Sequence, residues 1–143
     1  MLLSAVIFAI SLWDVQRGFS HNRQLESETK TNQINLEEIG KEVRAGNIVV
    51  VSVGANWCLT CSYNNFVVFK NMSLANLMKQ YNVKLIEVDW TNYSIEILNF
   101  MERFGRKGVP FYILFSPNIP EGMVLPEIMS EVEFRKIIKN IAG

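Results

Sequence analysis

The apolar run Ile48-Val49-Val50-Val51-Ser52-Val53, followed closely by Cys58-Leu59-Thr60-Cys61, constrains the fold of this chain more than any other feature. A continuous β-branched run is typical of a strand that is covered on both faces of a sheet. The Cys-x-x-Cys pair after that strand is predicted to begin a helix. In the first turn of a helix, unpaired backbone N–H groups and the positive end of the helix dipole favour a thiolate.

The spacing of the only two cysteines, Cys58 and Cys61, indicates disulfide exchange. We predict that Cys58 is the nucleophile, because the helix N-terminus lowers the pKa of its thiol below the ~8.5 of a free cysteine. We also expect Cys58 to be the more exposed of the two sulfurs. Cys61 lies one helical turn further along and is predicted to be the more buried, resolving thiol. It would attack a mixed disulfide and release the partner.

Other roles for the cysteine pair fit less well. A disulfide scaffold of a secreted protein uses four or more cysteines, and closing so short a loop removes little entropy from the unfolded chain. A zinc site needs about four ligands, and His21 is the only histidine. Copper(I) is able to use two thiolates alone, so a copper(I)-binding module that uses the same two cysteines remains an alternative.

Composition indicates an ordinary globular domain without a nucleic-acid partner. Fourteen basic and fourteen acidic side chains cancel, and 49% of the 143 residues are hydrophobic. A chain of this length suits one domain with a substantial core. Binding to nucleic acid would require a basic face, which this charge balance does not indicate.

The N-terminal residues differ in character from the rest. Residues 1–15 form a hydrophobic segment, uncharged from Met1 to Trp13, that is shorter than the ~20 residues of a membrane-spanning helix and lacks the basic start of a secretory signal. We interpret it as a membrane anchor or the remnant of a transmembrane helix, with a buried helix as the alternative. Residues 16–33 are polar and predict a linker, and residues 34–143 form the folded domain.

The order of elements in residues 34–143 predicts an α/β fold. A helix capped by Asn35 precedes the strand at 48–53, and further helices begin near Cys58, Ser73 and Ser94. Strands are predicted at 84–90 and 111–115, with a return strand near 123–125, before a last helix that opens with a Ser130/Glu133 capping box. We expect eight aromatic residues to lie in the core: Phe66, Phe69, Tyr81, Phe100, Phe104, Phe111, Tyr112 and Phe115. The result is a four-stranded mixed central sheet flanked by helices on both faces.

Four blocks of sequence narrow this fold to one family. They are Gly54–Cys61, Val88–Asn92, Arg103–Pro110 and Val124–Glu127, which occur here in that order. The chain resembles, over roughly residues 36–142, the C-terminal thioredoxin-like domain of DsbD-type thiol:disulfide interchange proteins, including the copper-sensitivity-suppressor branch. The resemblance implies a thioredoxin-like fold and a protein-disulfide reductase that works through Cys58 and Cys61 without a cofactor.

The resemblance also implies partners and a location. The domain would face the bacterial periplasm, take electrons from a membrane-embedded domain in cis or in trans, and pass them to disulfides of envelope proteins. Trp57 would offer an apolar contact to a docking peptide. The Val109-Pro110 bond would be cis, with its loop against the two sulfurs and the Val109 backbone placed to pair with an extended substrate strand.

Two departures from the family bear on proton transfer. Ser52 stands where thioredoxin-like reductases commonly hold a buried carboxylate, and Asn65 stands where the best-known interchange domain adds a Glu. A buried carboxylate would raise thiol pKa values and accept the proton of the resolving thiol. We therefore predict a more acidic Cys58 than in that form, and Cys61 would need water or another base. Asp89 is a weak candidate, since it is expected mainly to cap the following loop.

Overall fold

A five-stranded mixed sheet forms the centre of the computed structural model, which describes residues 28–143. The strands are β1 (Glu28–Thr31), β2 (Ile48–Gly54), β3 (Val83–Asp89), β4 (Phe111–Ser116) and β5 (Ile119–Val124). Their spatial order is β1-β3-β2-β4-β5. Strands β1, β3 and β2 run parallel to one another, whereas β4 is antiparallel to both β2 and β5.

Five helices connect and cover these strands. They are α1 (Leu36–Arg44), α2 (Leu59–Asn64), α3 (Met72–Gln80), α4 (Ile95–Glu102) and α5 (Glu131–Ala142). A π-helical turn, Asn65–Phe69, continues α2 without a break. Among residues 28–143, no helix is long and apolar enough to span a membrane.

The predicted α/β class is confirmed, but the sheet has five strands and not the predicted four. The additional strand, β1, pairs with β3 at the edge of the sheet and lies within the range predicted to be a linker. An edge strand leaves much of its surface to solvent, so its sequence Glu-Thr-Lys-Thr carries no apolar signal. The hydrophobic segment at residues 1–15 lies outside the described residues.

The two faces of the sheet bury separate apolar clusters. On the cysteine face, defined by Val50, Leu85, Tyr112 and Leu114, the sheet packs against the π-helical turn, α3 and α5. The opposite face packs against α1 and α4, and it includes the following buried side chains: Val49, Val51, Val88, Ile97, Phe100, Phe111 and Ile113. Helices therefore flank the sheet on both faces, as predicted.

Helix caps follow the sequence signals closely, with one correction. Asn35 caps α1 by accepting the Glu38 N–H at 3.1 Å, and Ser130 and Glu133 form the predicted capping box of α5. Helix α3 begins two residues earlier than predicted. Its cap is Asn71, and the amide oxygen of Asn71 accepts the backbone N–H of the residue predicted as the cap, Ser73, at 2.9 Å.

Candidate active site

The two cysteines form a disulfide where β2 leads into α2. The S–S distance is 2.08 Å and the Cα atoms lie 5.3 Å apart. Cys58 is the N-cap of α2, and its Sγ accepts the backbone N–H of Cys61 at 3.1 Å. A sulfur that already receives an amide hydrogen bond at a helix N-terminus is well placed to become a thiolate after reduction.

The two cysteines are similarly buried in this oxidised state. Cys58 is 7% exposed and Cys61 is 5% exposed, so the expected difference in exposure between nucleophile and resolving thiol is small here. The Cys61 side chain lies against the end of β2, because a Cβ atom placed on Gly54 would be 3.5 Å from its Sγ. The Cys61 side chain is therefore directed toward the cysteine face of the sheet.

The loop before Cys58 is tied to the end of β3. The Thr91 hydroxyl accepts the backbone N–H of Asn56 at 2.9 Å and donates to an Asp89 carboxylate oxygen. The indole N–H of Trp57 donates to the Thr91 carbonyl at 3.4 Å, while the indole itself is 62% exposed. Trp57 thus presents an apolar surface beside the disulfide, at the place where a docking contact was predicted.

Asp89 caps the turn after β3. Its side chain also accepts the backbone N–H of Thr91 at 2.8 Å. The hydrogen bonds from the Thr91 hydroxyl and backbone lower the pKa of the Asp89 carboxyl. Burial opposes this shift, and Lys30, with Nζ at 3.8 Å from Oδ2, adds a smaller lowering. A carboxylate with a lowered pKa is a poor acceptor for a thiol proton, so its capping role dominates.

Val109 and Pro110 lie at the same end of the sheet as the cysteine loop. Phe111 pairs with Val53 in the antiparallel ladder of β4 and β2, so the two preceding residues lie beside the end of β2. The Val109–Pro110 peptide bond is cis. Both residues are partly exposed and accessible to a partner. Their role in substrate binding stays a prediction.

Asn64, which the sequence pattern did not single out, fixes the cysteine helix to the rest of the domain. It is fully buried, and its side-chain N–H groups donate to the Tyr112 hydroxyl at 3.0 Å and to the Glu127 carbonyl at 2.6 Å. Its amide oxygen accepts the Met129 N–H at 3.2 Å. A polar residue one turn after Cys61, at the spacing that shares its helix face, was the only signal for this contact.

A polar cavity of about 200 Å³ lies behind Cys61. Its lining includes Ser52, Asn65, Glu87 and Asp89. Ser52 and Asn65 stand where the family resemblance implies carboxylates, and the buried Asn65 Oδ1 has no hydrogen-bond partner among the described residues. Sequence reasoning missed Glu87, although a charged residue inside the otherwise apolar Leu85–Val88 was a signal for it.

An exposed apolar strip follows α2 away from the disulfide. It consists of Leu59, Tyr63 and Phe66, which are 87%, 51% and 79% exposed. The expectation that Phe66 lies in the core is therefore wrong. The helix turns Val68 and Phe69 to the core instead, and the side chain of Phe66 points to solvent.

Comparison with known proteins places this chain in a family. The family model described as thioredoxin-like matches residues 38–117, more than half of the chain. The chain belongs to the thioredoxin-like family. No curated protein sequence matched it.

Solved thioredoxin-like structures share its fold at low sequence identity. The oxidised C-terminal domain of Neisseria meningitidis DsbD is 16% identical, with a TM-score of 0.60 over 74% of this chain and 89% of that one. A thioredoxin from Thermus thermophilus is also 16% identical, with a TM-score of 0.60 over 80% and 87% of the two chains. The disulphide isomerase from Xylella fastidiosa Temecula1 is 16% identical, with a TM-score of 0.52 over 75% and 87%. These similarities confirm the predicted thioredoxin-like fold.

The geometry suits a thiol–disulfide oxidoreductase. Both cysteines of the Cys-x-x-Cys pair lie at the start of a helix in a thioredoxin-like fold, close enough to form a disulfide. Among residues 28–143, no group of three or more His, Cys, Asp and Glu side chains forms a metal site. No observation in this part of the chain favours the copper(I) alternative.

Proposed function

We propose that this protein is a DsbD-type thiol:disulfide interchange protein that reduces disulfides of proteins in the bacterial cell envelope. The observation that carries the proposal is the Cys58–Cys61 disulfide at the N-terminus of α2. The resemblance of four sequence blocks to DsbD-type domains supports the finer assignment, and the shared fold of the Neisseria meningitidis DsbD domain is consistent with it.

The reduced protein would act in two exchange steps. The Cys58 thiolate attacks one sulfur of a partner disulfide, so that a Cys58–partner disulfide forms and the other partner sulfur leaves with the electron pair. The Cys61 thiolate then attacks Cys58 Sγ. The Cys58–Cys61 disulfide forms again, and the partner's second sulfur leaves as a thiolate. Two electrons have passed to the partner, and a donor has to return them before the next cycle.

The surroundings of Cys58 provide places for a partner polypeptide. Trp57 is exposed on one side of the cysteine loop, and Val109-Pro110 lies at the end of β2 from which that loop leaves. An extended partner strand would pair with the Val109 backbone while an apolar side chain contacts Trp57. This arrangement would hold the partner disulfide beside Cys58.

The direction of electron flow and the location belong to the same proposal. The resemblance supports a domain that faces the periplasm and takes electrons from a membrane-embedded domain, in cis or in trans. Residues 1–15 would then be an anchor or the remnant of the preceding membrane helix. A Cys-x-x-Cys pair serves an oxidant equally well, because the direction depends on the relative stability of its dithiol and disulfide forms.

Two measurements test this function. Reduced protein is expected to reduce insulin disulfides and to have a redox potential near that of thioredoxin, about −270 mV; a value near −120 mV would show that it is an oxidant. Expression of Cys61→Ser in bacterial cells is expected to trap envelope proteins on Cys58, with the variant that lacks both cysteines as control. If cysteine-dependent adducts are absent and insulin is not reduced, the proposed function is wrong.

A further inference from the structure

The resolving step requires a proton acceptor, and neither family position for one carries a carboxylate. Cys61 has to lose its proton before its sulfur attacks Cys58, because the thiolate is the nucleophile. Ser52 and Asn65 occupy the two positions at which the resemblance implies acids. Both line the cavity behind Cys61, together with Glu87 and Asp89 from the neighbouring strand.

Glu87 lies next to Ser52 in the sheet. In the parallel ladder of β2 and β3, Ser52 pairs with Glu87, and on its other side it pairs with Tyr112 of β4. Paired residues on adjacent strands direct their side chains to the same face of a sheet, and Tyr112 belongs to the cysteine face. The Glu87 carboxylate is therefore one strand away from the position at which the family places its buried acid.

The negative charge of Glu87 affects a buried group of the cysteine face, the Tyr112 hydroxyl. Burial raises the pKa of the Tyr112 hydroxyl, the hydrogen bond from Asn64 opposes that shift, and the negative charge of Glu87 adds to it. The Glu87 carboxylate therefore affects the Tyr112 hydroxyl, which lies on the other side of Ser52 in the sheet. Asp89 lines the same cavity, but Thr91 and Lys30 already stabilise its ionised form.

Resting on the proposed function, we propose that Glu87 is the proton acceptor for the Cys61 thiol, through water in the cavity that both residues line. The cavity is polar and has room for several water molecules. In the reductive direction, the Cys61 S–H bond breaks and the proton passes to the Glu87 carboxylate. The Cys61 thiolate forms the bond to Cys58 Sγ, and the partner sulfur leaves as a thiolate that takes up the proton. In the oxidative direction, protonated Glu87 returns the proton to Cys61.

Other charged groups share this space with Glu87. The titratable and charged residues that line the cavity or interact with Glu87 are Lys30 of β1, Cys61 of α2, Lys70 after the π-helical turn, Asp89 of β3 and Tyr112 of β4. Lys30 pairs with Glu87 in the ladder of β1 and β3, and its side chain contacts Asp89. Two lysines and two carboxylates thus line this cavity, and transfer of a proton from Cys61 to Glu87 leaves the net charge of the group unchanged.

The reaction of the reduced full chain with 5,5′-dithiobis(2-nitrobenzoate) separates the two exchange steps. Attack by Cys58 releases the first coloured thiolate, and attack by Cys61 on the resulting mixed disulfide releases the second. In Glu87→Gln, the first phase is expected to stay within about twofold of wild type. The second is expected to slow roughly 100-fold at pH 7, the lower end of what a positioned base contributes, and to recover partly at pH 9. Glu121→Gln, the same change at an exposed residue of β5, is the matched control.

A swap of the two positions tests whether a carboxylate in this cavity is what matters. The double variant Ser52→Asp/Glu87→Ser returns the acid to the family position and is expected to restore the second phase to within about threefold of wild type. Circular dichroism of the oxidised form shows whether Glu87→Gln folds. If it does not fold, the double variant takes its place in the test. A second phase in Glu87→Gln at the wild-type rate from pH 6 to pH 9, or one that depends on Asp89 instead, would overturn the inference. Wild-type protein without either phase would instead refute the proposed function.

Discussion

The two faces of β2 differ sharply at the level of the disulfide. On the cysteine face, Ser52 lies between Glu87 and Tyr112, and Ser52, Glu87 and Cys61 line one polar cavity. On the opposite face, a cluster of phenylalanine rings packs at centroid distances of 5.3 to 6.2 Å; its members are Phe100, Phe104, Phe111 and Phe115. Strand β2 thus contributes to a polar site on one face and to an apolar core on the other.

This difference shows how the fold combines reactivity with stability. A cysteine pair that exchanges protons and electrons needs polar groups and water nearby, which weaken the local packing. The aromatic cluster on the opposite face buries large apolar surfaces and makes edge-to-face and stacked ring contacts without polar atoms. We therefore expect substitutions on the cysteine face to change the chemistry first, and substitutions on the opposite face to change the stability first.

The largest chemical effect is expected for Cys58→Ser on the cysteine face. Insulin reduction should fall to the rate measured without protein, because the remaining cysteine, Cys61, lies against the end of β2 and not at the N-cap of α2. Circular dichroism of the variant, compared with reduced wild type, should show an unchanged fold. Retention of activity by a folded Cys58→Ser variant would contradict the role assigned to this residue.

The largest effect on stability is expected for Phe100→Ala on the opposite face. Phe100 is buried and contacts both Phe104 and Phe111, so its truncation should cost about 3–5 kcal/mol of unfolding free energy. Denaturant unfolding measures this loss, and Phe100→Leu should lose only about 1 kcal/mol. Alkylation of Cys58 in the folded, reduced variant should keep its wild-type rate. A changed alkylation rate would show that the two faces are not independent.

Asn64→Ala tests the same difference between the two faces, because it should lower the free energy of unfolding through a residue that contacts the cysteine face. The change leaves the Tyr112 hydroxyl, the Glu127 carbonyl and the Met129 N–H without their partner, at a cost of about 2–3 kcal/mol. Tyr112→Phe removes one of these hydrogen bonds and should cost about 1 kcal/mol. Denaturant unfolding of the oxidised forms tests both values. Equal losses in the two variants would contradict the bridging role of Asn64.

The smallest effect concerns Asp89 and depends on pH. Because the folded-state pKa of Asp89 is lowered, its contribution to stability is present above the unfolded value of ~3.9 and is lost as pH falls through the lower folded value. Asp89→Asn should therefore cost less than about 1 kcal/mol at pH 7, and the difference should shrink as pH falls below the unfolded value. Unfolding of both proteins across this range measures it. A difference that grows toward acid pH would have the wrong sign.

Much of the secondary structure and the reactive pair were predictable from the sequence. The β-branched run at β2, the cap at Asn35 and the capping box at Ser130 depend on neighbours within a few residues, and all three were predicted correctly. The cysteine spacing likewise predicted a pair at a helix start. Errors arose where several local signals compete, as at Asn71 and Ser73, or where the orientation of a helix decides exposure, as at Phe66.

What the sequence alone determined is local: which segments form strands and helices, and that two cysteines lie one helical turn apart. Only the tertiary structure decided that Glu87 lies beside Ser52, that Asn64 reaches Tyr112, and that Lys30 belongs to an edge strand of the sheet. These contacts depend on strand order and register, which result from packing between segments far apart in the chain. A periodic pattern within one segment carries no information about which residue of another segment will lie opposite it.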